Sequence, residues 1–234
     1  MAQRMPVDRA WLVTALLTVT AATGLIDAVS FLRLGRVFVA NMTGNVVFLG
    51  FAAYQGSGLS PVASVVAIAG FAAGAVAGGR VARVLSGGPR RWLCSVFAAQ
   101  AIVLAVVAVL VAVGVLRTSG HATLVTVALL AMCFGLQNAT VRKLAAHDLT
   151  TTVLTNTITG LVADSVLGGG GNPQVVRRLG SVLAMLAGAL VGALLLRVGV
   201  PVVIGLAAVL VAGVASVFGR APADTAADTP DGHR

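Results

Sequence analysis

Residues 24–50 read GLIDAVSFLRLGRVFVANMTGNVVFLG, and they place an aspartate, two arginines and two asparagines beside strongly apolar runs. A degraded copy begins 111 residues later, at residues 135–160, which read GLQNATVRKLAAHDLTTTVLTNTITG. The chain as a whole is 58% hydrophobic and only 10% charged. Because polar groups inside a bilayer are costly, we expect the chemistry of this chain to lie in these two stretches.

The composition predicts an all-α polytopic membrane protein. Soluble domains usually carry about a quarter charged residues, and this chain has far fewer, with a mean hydropathy of +1.00. Its apolar runs are continuous and near the length that crosses a bilayer as a helix, whereas a membrane barrel would show ~10-residue alternating segments. We predict eight apolar segments, at residues 10–32, 37–54, 61–79, 92–116, 122–141, 149–167, 179–197 and 200–218.

Three sequence landmarks recur in the same order and predict two repeated halves. Residues 24–28 align with 135–139, residues 42–46 align with 154–158 across one gap, and Gly70 and Gly74 align with Gly188 and Gly192. The predicted halves are residues 10–117 and 118–218. They lie between a short cytoplasmic tail at residues 1–9 and a disordered polar tail at residues 219–234.

The basic residues favour six full crossings, with segments 37–54 and 149–167 interrupted and re-entrant. With the N-terminus inside, this topology places 12 of the 16 Lys and Arg residues on the inner face, whereas eight crossings place 9 there. The positive-inside rule therefore favours six crossings, and three crossings per half would invert one half relative to the other. Eight crossings stay open as an alternative, since both interrupted segments are just long enough to span.

The pattern of polar residues argues against several classes of function. The Arg residues are scattered between apolar runs, without the basic cluster and interleaved aromatics that are typical of nucleic-acid binding. Cys94 and Cys133 have no neighbouring ligand residues, and no Ser-His-Asp set or pair of carboxylates is present. We therefore expect no enzyme activity, no metal, no cofactor and no nucleic-acid partner.

Asp27 is the sharpest candidate for a functional residue. A charged carboxylate near the bilayer centre costs about 2.5–3.5 kcal/mol, so it should face a cavity, a cation or a basic partner. The functional interpretation is a protonation or cation site, and the structural alternatives are an ion pair with Arg33 or Arg36, or a position at the membrane interface. The aligned residue in the second half is Asn138, which cannot titrate.

The two interrupted segments supply the other predicted solute-binding groups. Freed backbone and polar side chains at such breaks can coordinate a solute, although the same side chains can instead cap the helices and bond to neighbours. We expect Asp164 to pair with Arg177 or Arg178, and segment 92–116, with Gln100 its one marked polar residue, to face lipid. The predicted solute-binding residues are Asp27, Asn41, Thr43, Gly44, Asn45, Gln137, Asn138, Thr155, Asn156 and Thr157.

The motifs GLIDAVSFLRLG, VFVANMTGNVVFLG, GLQNATVRKL and DLTTTVLTNTITGLVAD resemble the YoaK family of bacterial integral membrane proteins, a group of unknown function (DUF1275). The resemblance covers nearly the whole chain and implies a multi-pass protein that is sometimes described as transporter-like. It implies no substrate. It supports testing Gly24, Asp27, Thr43, Gly44, Asn45, Gln137, Asn138 and Thr155.

Two functions fit these observations. The first is a bacterial inner-membrane permease for a small solute, surrounded by lipid and coupled to protons through Asp27, with its site between the first, second, fifth and sixth segments. The alternative is a non-transporting scaffold or lipid-interaction protein. Its helices would pack through small-xxx-small faces, and these faces could also form a homo-oligomer, through Gly70, Gly74, Gly188 and Gly192.

Overall fold

The computed structural model describes residues 9–84, 89–144, 154–165, 169–171 and 174–220, and all its regular structure over these ranges is helical. Six helices are long and apolar enough to cross a membrane and two are shorter, which confirms the predicted helical class. Residues 1–8 and 221–234 of the predicted tails lie outside these ranges. The helices are α1 (Arg9–Arg33), α2 (Met42–Phe51), α3 (Pro61–Val84), α4 (Pro89–Ala112), α5 (Thr123–Leu144), α6 (Leu154–Ala163), α7 (Val175–Leu195) and α8 (Val200–Arg220).

Two pairs of long helices pack in parallel. Gly70 and Gly78 of α3 lie against Ala128 and Leu136 of α5, so the two helices advance together. In the same way, α1 and α7 advance together, because Leu17 lies beside Gly180 and Leu25 lies beside Gly192. Each pair joins one helix of the first predicted half to one helix of the second.

The remaining long helices pack in antiparallel fashion. Phe97 near the start of α4 stacks on Phe218 at the end of α8, with ring centroids 5.9 Å apart. Lys143 at the end of α5 lies over Trp92 at the start of α4. Helices α7 and α8 are joined by residues 196–199, and helices joined by so short a link lie antiparallel. Helices α1, α4 and α7 therefore run one way, and α3, α5 and α8 run the other.

These directions bear on the path of the chain through the two short helices. Since α1 and α3 are antiparallel, as are α5 and α7, the chain returns to the side it left across both α2 and α6. Each short helix has 10 residues and is about 15 Å long, half the thickness of the hydrocarbon layer. The described ranges therefore contain six candidate spans, and α2 and α6 are each too short to cross the hydrocarbon layer as a single helix.

The packing glycines are covered by helices of the same chain. A side chain at Gly74 would collide with the Met132 carbonyl of α5, and one at Gly188 would collide with the Ala21 carbonyl of α1. Gly70 and Gly192 meet backbone carbonyls of the same two helices at 2.8 and 3.0 Å from an added Cβ. Such close backbone contacts are how membrane helices associate. The homo-oligomer interface predicted on these four glycines is therefore occupied within one chain.

Three segment predictions need correction. Helix α4 does not face lipid on all sides, because it buries Leu93, Phe97 and Leu104 against its neighbours. Helix α3 continues to Val84, so Arg80 and Arg83 lie in its last turns rather than in a loop. Segment 37–54 becomes helical only at Met42, because the residues before it are held in an irregular link by side chains of α1 and α2.

Candidate functional site

The chain turns sharply after α1 and folds back beside it. Gly35 and Arg36 have positive φ angles of 105° and 57°, and they reverse the chain directly after the helix ends. The returning link, residues 34–41, buries Leu34, Val37 and Val39 almost completely. Irregular backbone at membrane depth is tolerated where it is buried in protein, and this link meets that condition.

Asp27 provides acceptors for the returning backbone. Its Oδ1 accepts the N–H groups of Val39 at 3.3 Å and Ala40 at 3.2 Å, and the residue is 5% exposed. It lies six residues before the end of α1, or about 9 Å inside it. Within the described ranges its side chain makes no ion pair, which argues against the alternative of a pair with Arg33 or Arg36.

Asn45 of α2 holds the same link from the other side. Its Oδ1 accepts the Phe38 N–H at 2.9 Å, and its Nδ2 donates to the Phe38 carbonyl at 2.6 Å. The residue is fully buried, so its amide replaces the backbone partners that Phe38 would have in a sheet. Asn41 caps the start of α2 by accepting the Gly44 N–H at 3.4 Å. The first break is therefore fastened by short polar side chains.

A second polar group joins three long helices near the middle of the bundle. Gln100 Nε2 of α4 donates to Gln137 Oε1 of α5 at 2.5 Å, and Gln137 Nε2 donates to Thr23 Oγ1 of α1 at 3.1 Å. Gln100 lies 11 residues from the start of α4 and 12 from its end. Both glutamines are buried, and Gln100 Oε1 has no hydrogen-bond donor among the residues that the structure describes.

Helix α1 carries a stripe of polar residues that connects these two groups. Thr20, Thr23, Asp27 and Ser30 follow one another at spacings of three, four and three, so they share one face of the helix. Thr20, Asp27 and Ser30 are buried, and Thr23 is partly buried. The sequence interpretation missed Thr20, Thr23, Ser30 and the role of Gln100. The spacing of these residues along α1 was the available signal for a shared polar face. However, hydroxyl groups in membrane helices commonly bond to the backbone of their own helix, so they do not by themselves indicate a site.

Helix α6 is fastened from outside its own segment. The Arg178 Nη1 of α7 donates to the Gly160 carbonyl at 2.5 Å and to Asp164 Oδ2 at 2.6 Å. This ion pair confirms the predicted pairing of Asp164. The Asp164 side chain is 51% exposed and that of Arg178 is 24% exposed. The position of α6 therefore depends on Arg178, whose long side chain is partly exposed to solvent.

The predicted solute-binding residues do not meet in one place. Helix α2 packs on α3 and α6 packs on α7, and α2 and α6 share no contact within the described ranges. Thr43, Thr155 and Asn156 are exposed, and Thr157 is partly buried. Asn138 donates to the Phe134 carbonyl of its own helix at 3.2 Å. Of the predicted set, Asp27 and Asn45 meet at the link, and Gln137 reaches α1 one turn from Asp27.

Acidic, cysteine and histidine side chains do not gather into a metal site in the parts of the chain that the structure describes. No three of them come together there. Cys133 is buried, and its Sγ lies 3.8 Å from the Gln100 carbonyl, which is a weak contact. The arrangement therefore offers amide, hydroxyl and single carboxylate groups, which suit hydrogen-bonded recognition of a solute.

The profile of a family described as "Protein of unknown function (DUF1275)" matches residues 15–217. The chain is also similar to the UPF0700 transmembrane protein YoaK of Bacillus subtilis (strain 168), with 30% identity over 152 residues. That match covers 64% of this chain and 64% of the relative, just under two thirds of its length. No solved structure matches the chain. Because the family profile covers well over half of its residues, the chain belongs to the DUF1275 family of polytopic membrane proteins, whose function is unknown.

Proposed function

We propose that the protein is a permease for a small solute in the bacterial inner membrane, with its N-terminus in the cytoplasm. The orientation rests on the positive-inside rule. The end of the bundle where α3, α5 and α8 finish carries most of the cations, and we call it the basic end. Its members among the described helix ends are Arg80, Arg83, Arg90, Arg91, Arg142, Lys143, Arg177, Arg178 and Arg220, against Arg33, Arg36, Arg117 and Arg197 at the opposite end.

The observation that carries the proposal is the polar stripe of α1 and its bonds to α4 and α5. Buried polar and ionisable residues in membrane helices are costly, and where they face the bundle interior they commonly mark solute or proton pathways. Thr23 and Asp27 lie one turn apart, and Thr23 is bonded to Gln137, which is bonded to Gln100. This chain of groups runs from the middle of the bundle toward the end of α1, in the direction that a solute would travel.

The directions of the helices support an inverted repeat. The helices that the repeat makes equivalent run in opposite directions, namely α1 and α5, α3 and α7, and α4 and α8. Transporters built from such halves bind their solutes near the bilayer midplane, where the halves meet. Gln100 lies at the middle of α4, and hydrogen bonds connect it to Gln137 and through Gln137 to Thr23. We therefore propose them as the centre of the site, with Asp27 as the proton-coupling group and Asn45 as a residue that positions the link.

The scaffold alternative stays a prediction. The glycine faces of α3 and α7 pack against α5 and α1 of the same chain, so they are not free to bind a second copy. The solute-binding roles predicted for Asn41, Thr43, Gly44, Thr155, Asn156 and Thr157 stay predictions.

Cysteine accessibility tests the pathway without knowledge of the solute. In a chain with Cys94→Ala and Cys133→Ala, Thr23→Cys is compared with Thr14→Cys. Both hydroxyls bond to the carbonyl four residues earlier, but Thr14 is exposed on the lipid-facing surface. A charged, membrane-impermeant thiosulfonate reacts with thiolates in water, so we expect it to label Thr23→Cys and spare Thr14→Cys. Equal labelling rates would contradict a water-accessible pathway along this stripe.

Proton coupling has a separate test. Vesicles that contain the protein and an internal pH dye are screened with a panel of small solutes, and solute-dependent proton uptake is measured. We expect Asp27→Asn to abolish that uptake and leave the amount of protein in the membrane unchanged, because the amide keeps an acceptor for Val39 and Ala40. Proton uptake at the wild-type rate in this variant would exclude Asp27 as the coupling group.

A further inference from the structure

The basic end contains a place where three helix ends are joined by one lysine. Lys143, at the end of α5, donates to the Ala82 carbonyl in the last turn of α3 at 2.9 Å. Its ammonium also lies 5.6 Å from the ring centroid of Trp92, in the first turn of α4. A cation over an indole face and at a helix C-terminus is stabilised by both, so the ends of α3, α4 and α5 are held around this ammonium.

A second cation ties α8 to the same end. Arg90 of α4 donates to the Phe218 carbonyl through Nε and to the Gly219 carbonyl through Nη2, both at 2.7 Å. These are the last carbonyls of α8, which lack partners within their own helix. Lys143 and Arg90 are thus engaged in fastening helix ends and fix the positions of the residues beside them.

Three further arginines are adjacent in sequence to residues of this junction. Arg83 follows Ala82, Arg91 precedes Trp92 and Arg142 precedes Lys143, so each neighbours a residue of the junction. All three are exposed, and within the described ranges none of them forms an ion pair. The acidic residues in these ranges are Asp27, which is buried in α1, and Asp164, which is paired with Arg178. Among the described residues, these three arginines therefore have no acidic partner.

We propose that this junction binds the phosphate headgroup of an anionic phospholipid, with Arg83, Arg91 and Arg142 as its ligands. The inference does not depend on transport. Basic pockets between membrane helices on the cytoplasmic side are suited to anionic headgroups, and arginine can hold a phosphate through two parallel N–H donors. The apolar surface below it would contact the acyl chains, since Val76 of α3, about 10 Å from Arg83 along the helix, is exposed.

Lipid competition tests the site on the full-length protein. Protein in vesicles of phosphatidylcholine and phosphatidylglycerol is extracted gently, and the lipids that remain bound are counted by native mass spectrometry. We expect phosphatidylglycerol to be retained over phosphatidylcholine by about tenfold or more, and the triple variant R83Q/R91Q/R142Q to lose most of that preference. The matched control R33Q/R117Q/R197Q removes the same number of charges at the opposite end. This variant should keep the preference for phosphatidylglycerol.

Several outcomes would overturn the proposal. They are an equal loss of the phosphatidylglycerol preference in both triple variants, full retention of that preference in R83Q/R91Q/R142Q, or the absence of any lipid preference in the wild-type protein. If the basic-end variant does not fold, the wild-type protein decides the question, because salt at about 0.5 M should abolish most of the preference for a headgroup held by charge. Inorganic phosphate added to pure phosphatidylcholine vesicles should not raise the thermal unfolding midpoint. A rise there would instead identify a soluble phosphate as the ligand and overturn the lipid proposal.

Discussion

The two short helices follow similar polar breaks in the chain, but different bonds hold them in the bundle. The link before α2 is fastened by Asp27 and Asn45, which are buried and bond directly to backbone groups of that link. Helix α6 is fastened by Arg178, which reaches it from α7 and pairs with a half-exposed aspartate. Buried bonds to backbone are costly to break, whereas exposed ion pairs contribute little and weaken with salt. The α2 side should therefore be fixed, and the α6 side should open more readily.

The largest expected difference between the two breaks is at their asparagines. Asn45→Ala removes both partners of Phe38 and leaves its N–H and carbonyl unsatisfied inside the protein. We expect a loss of about 2–4 kcal/mol in the free energy of unfolding, measured in bicelles with a chemical denaturant. The control is Asn156→Ala on α6, which changes an exposed residue and should cost less than about 0.5 kcal/mol. Similar losses in the two variants would show that the breaks are fastened alike.

Two substitutions of Asp27 separate the effect of its hydrogen bonds on stability from the effect of its charge. Asp27→Ala leaves the N–H groups of Val39 and Ala40 without their acceptor, whereas Asp27→Asn keeps an acceptor oxygen and removes the carboxylate. We expect the Ala variant to be less stable than the Asn variant by about 1–3 kcal/mol. Equal thermal unfolding midpoints would mean that the two long hydrogen bonds do not hold the link.

The helical class and the six long apolar spans could be predicted because they depend on the length of the apolar runs, and the distribution of arginines favours the same number. Both signals are local and additive along the chain, so a single sequence contains them. The pairing of Asp164 could be predicted for a similar reason, since a charge near a membrane helix needs a nearby partner of opposite sign. The start of α2 could not, because residues 37–41 are as apolar as a helix and are kept irregular by two distant side chains.

The middle of the bundle was missed for a different reason. Gln100 and Gln137 lie 37 positions apart, and Thr23 lies 114 positions from Gln137. Their bonds depend on which faces of α1, α4 and α5 meet, and helix periodicity leaves the choice of neighbour open in a chain whose faces are all apolar. The packing glycines were recognised as contact residues, but their spacing could not tell a contact within the chain from one between copies.

Two glycines give a matched comparison of how firmly each short helix is packed. A Cβ at Gly44 would lie 2.8 Å from the ring of Phe38, which stacks between Phe31 and Phe48 and has little room to move. A Cβ at Gly160 would lie 2.8 Å from the guanidinium carbon of Arg178, the far end of a flexible side chain. We expect Gly44→Ala to cost about 1–3 kcal/mol and Gly160→Ala to cost less than about 1 kcal/mol. Thermal unfolding in detergent measures both, and the reverse order would contradict a firmly packed first break.

The smallest expected effect is also the most local. Arg178→Gln removes the ion pair with Asp164, which is worth about 0.2–1 kcal/mol at an exposed site. Global stability should change little, so the measurement is hydrogen exchange of the α6 backbone amides. A loss of this size speeds exchange by roughly 1.4-fold to 5-fold, because 1.4 kcal/mol corresponds to tenfold. The amide of Asp164, which donates to the Gly160 carbonyl at 3.2 Å, should be among those affected.

The same experiment has internal controls that decide its meaning. The amides of α2 should be unchanged in Arg178→Gln, and Arg197→Gln, an exposed arginine at the opposite end without an ion pair among the described residues, should leave α6 unchanged. Salt at about 0.5 M should speed exchange of α6 in the wild-type protein and have no further effect in Arg178→Gln, because the charge it screens is already absent. If salt speeds amide exchange in α2 and α6 equally, the ion pair is not what distinguishes the two helices. Helix α6 would then be held by packing alone.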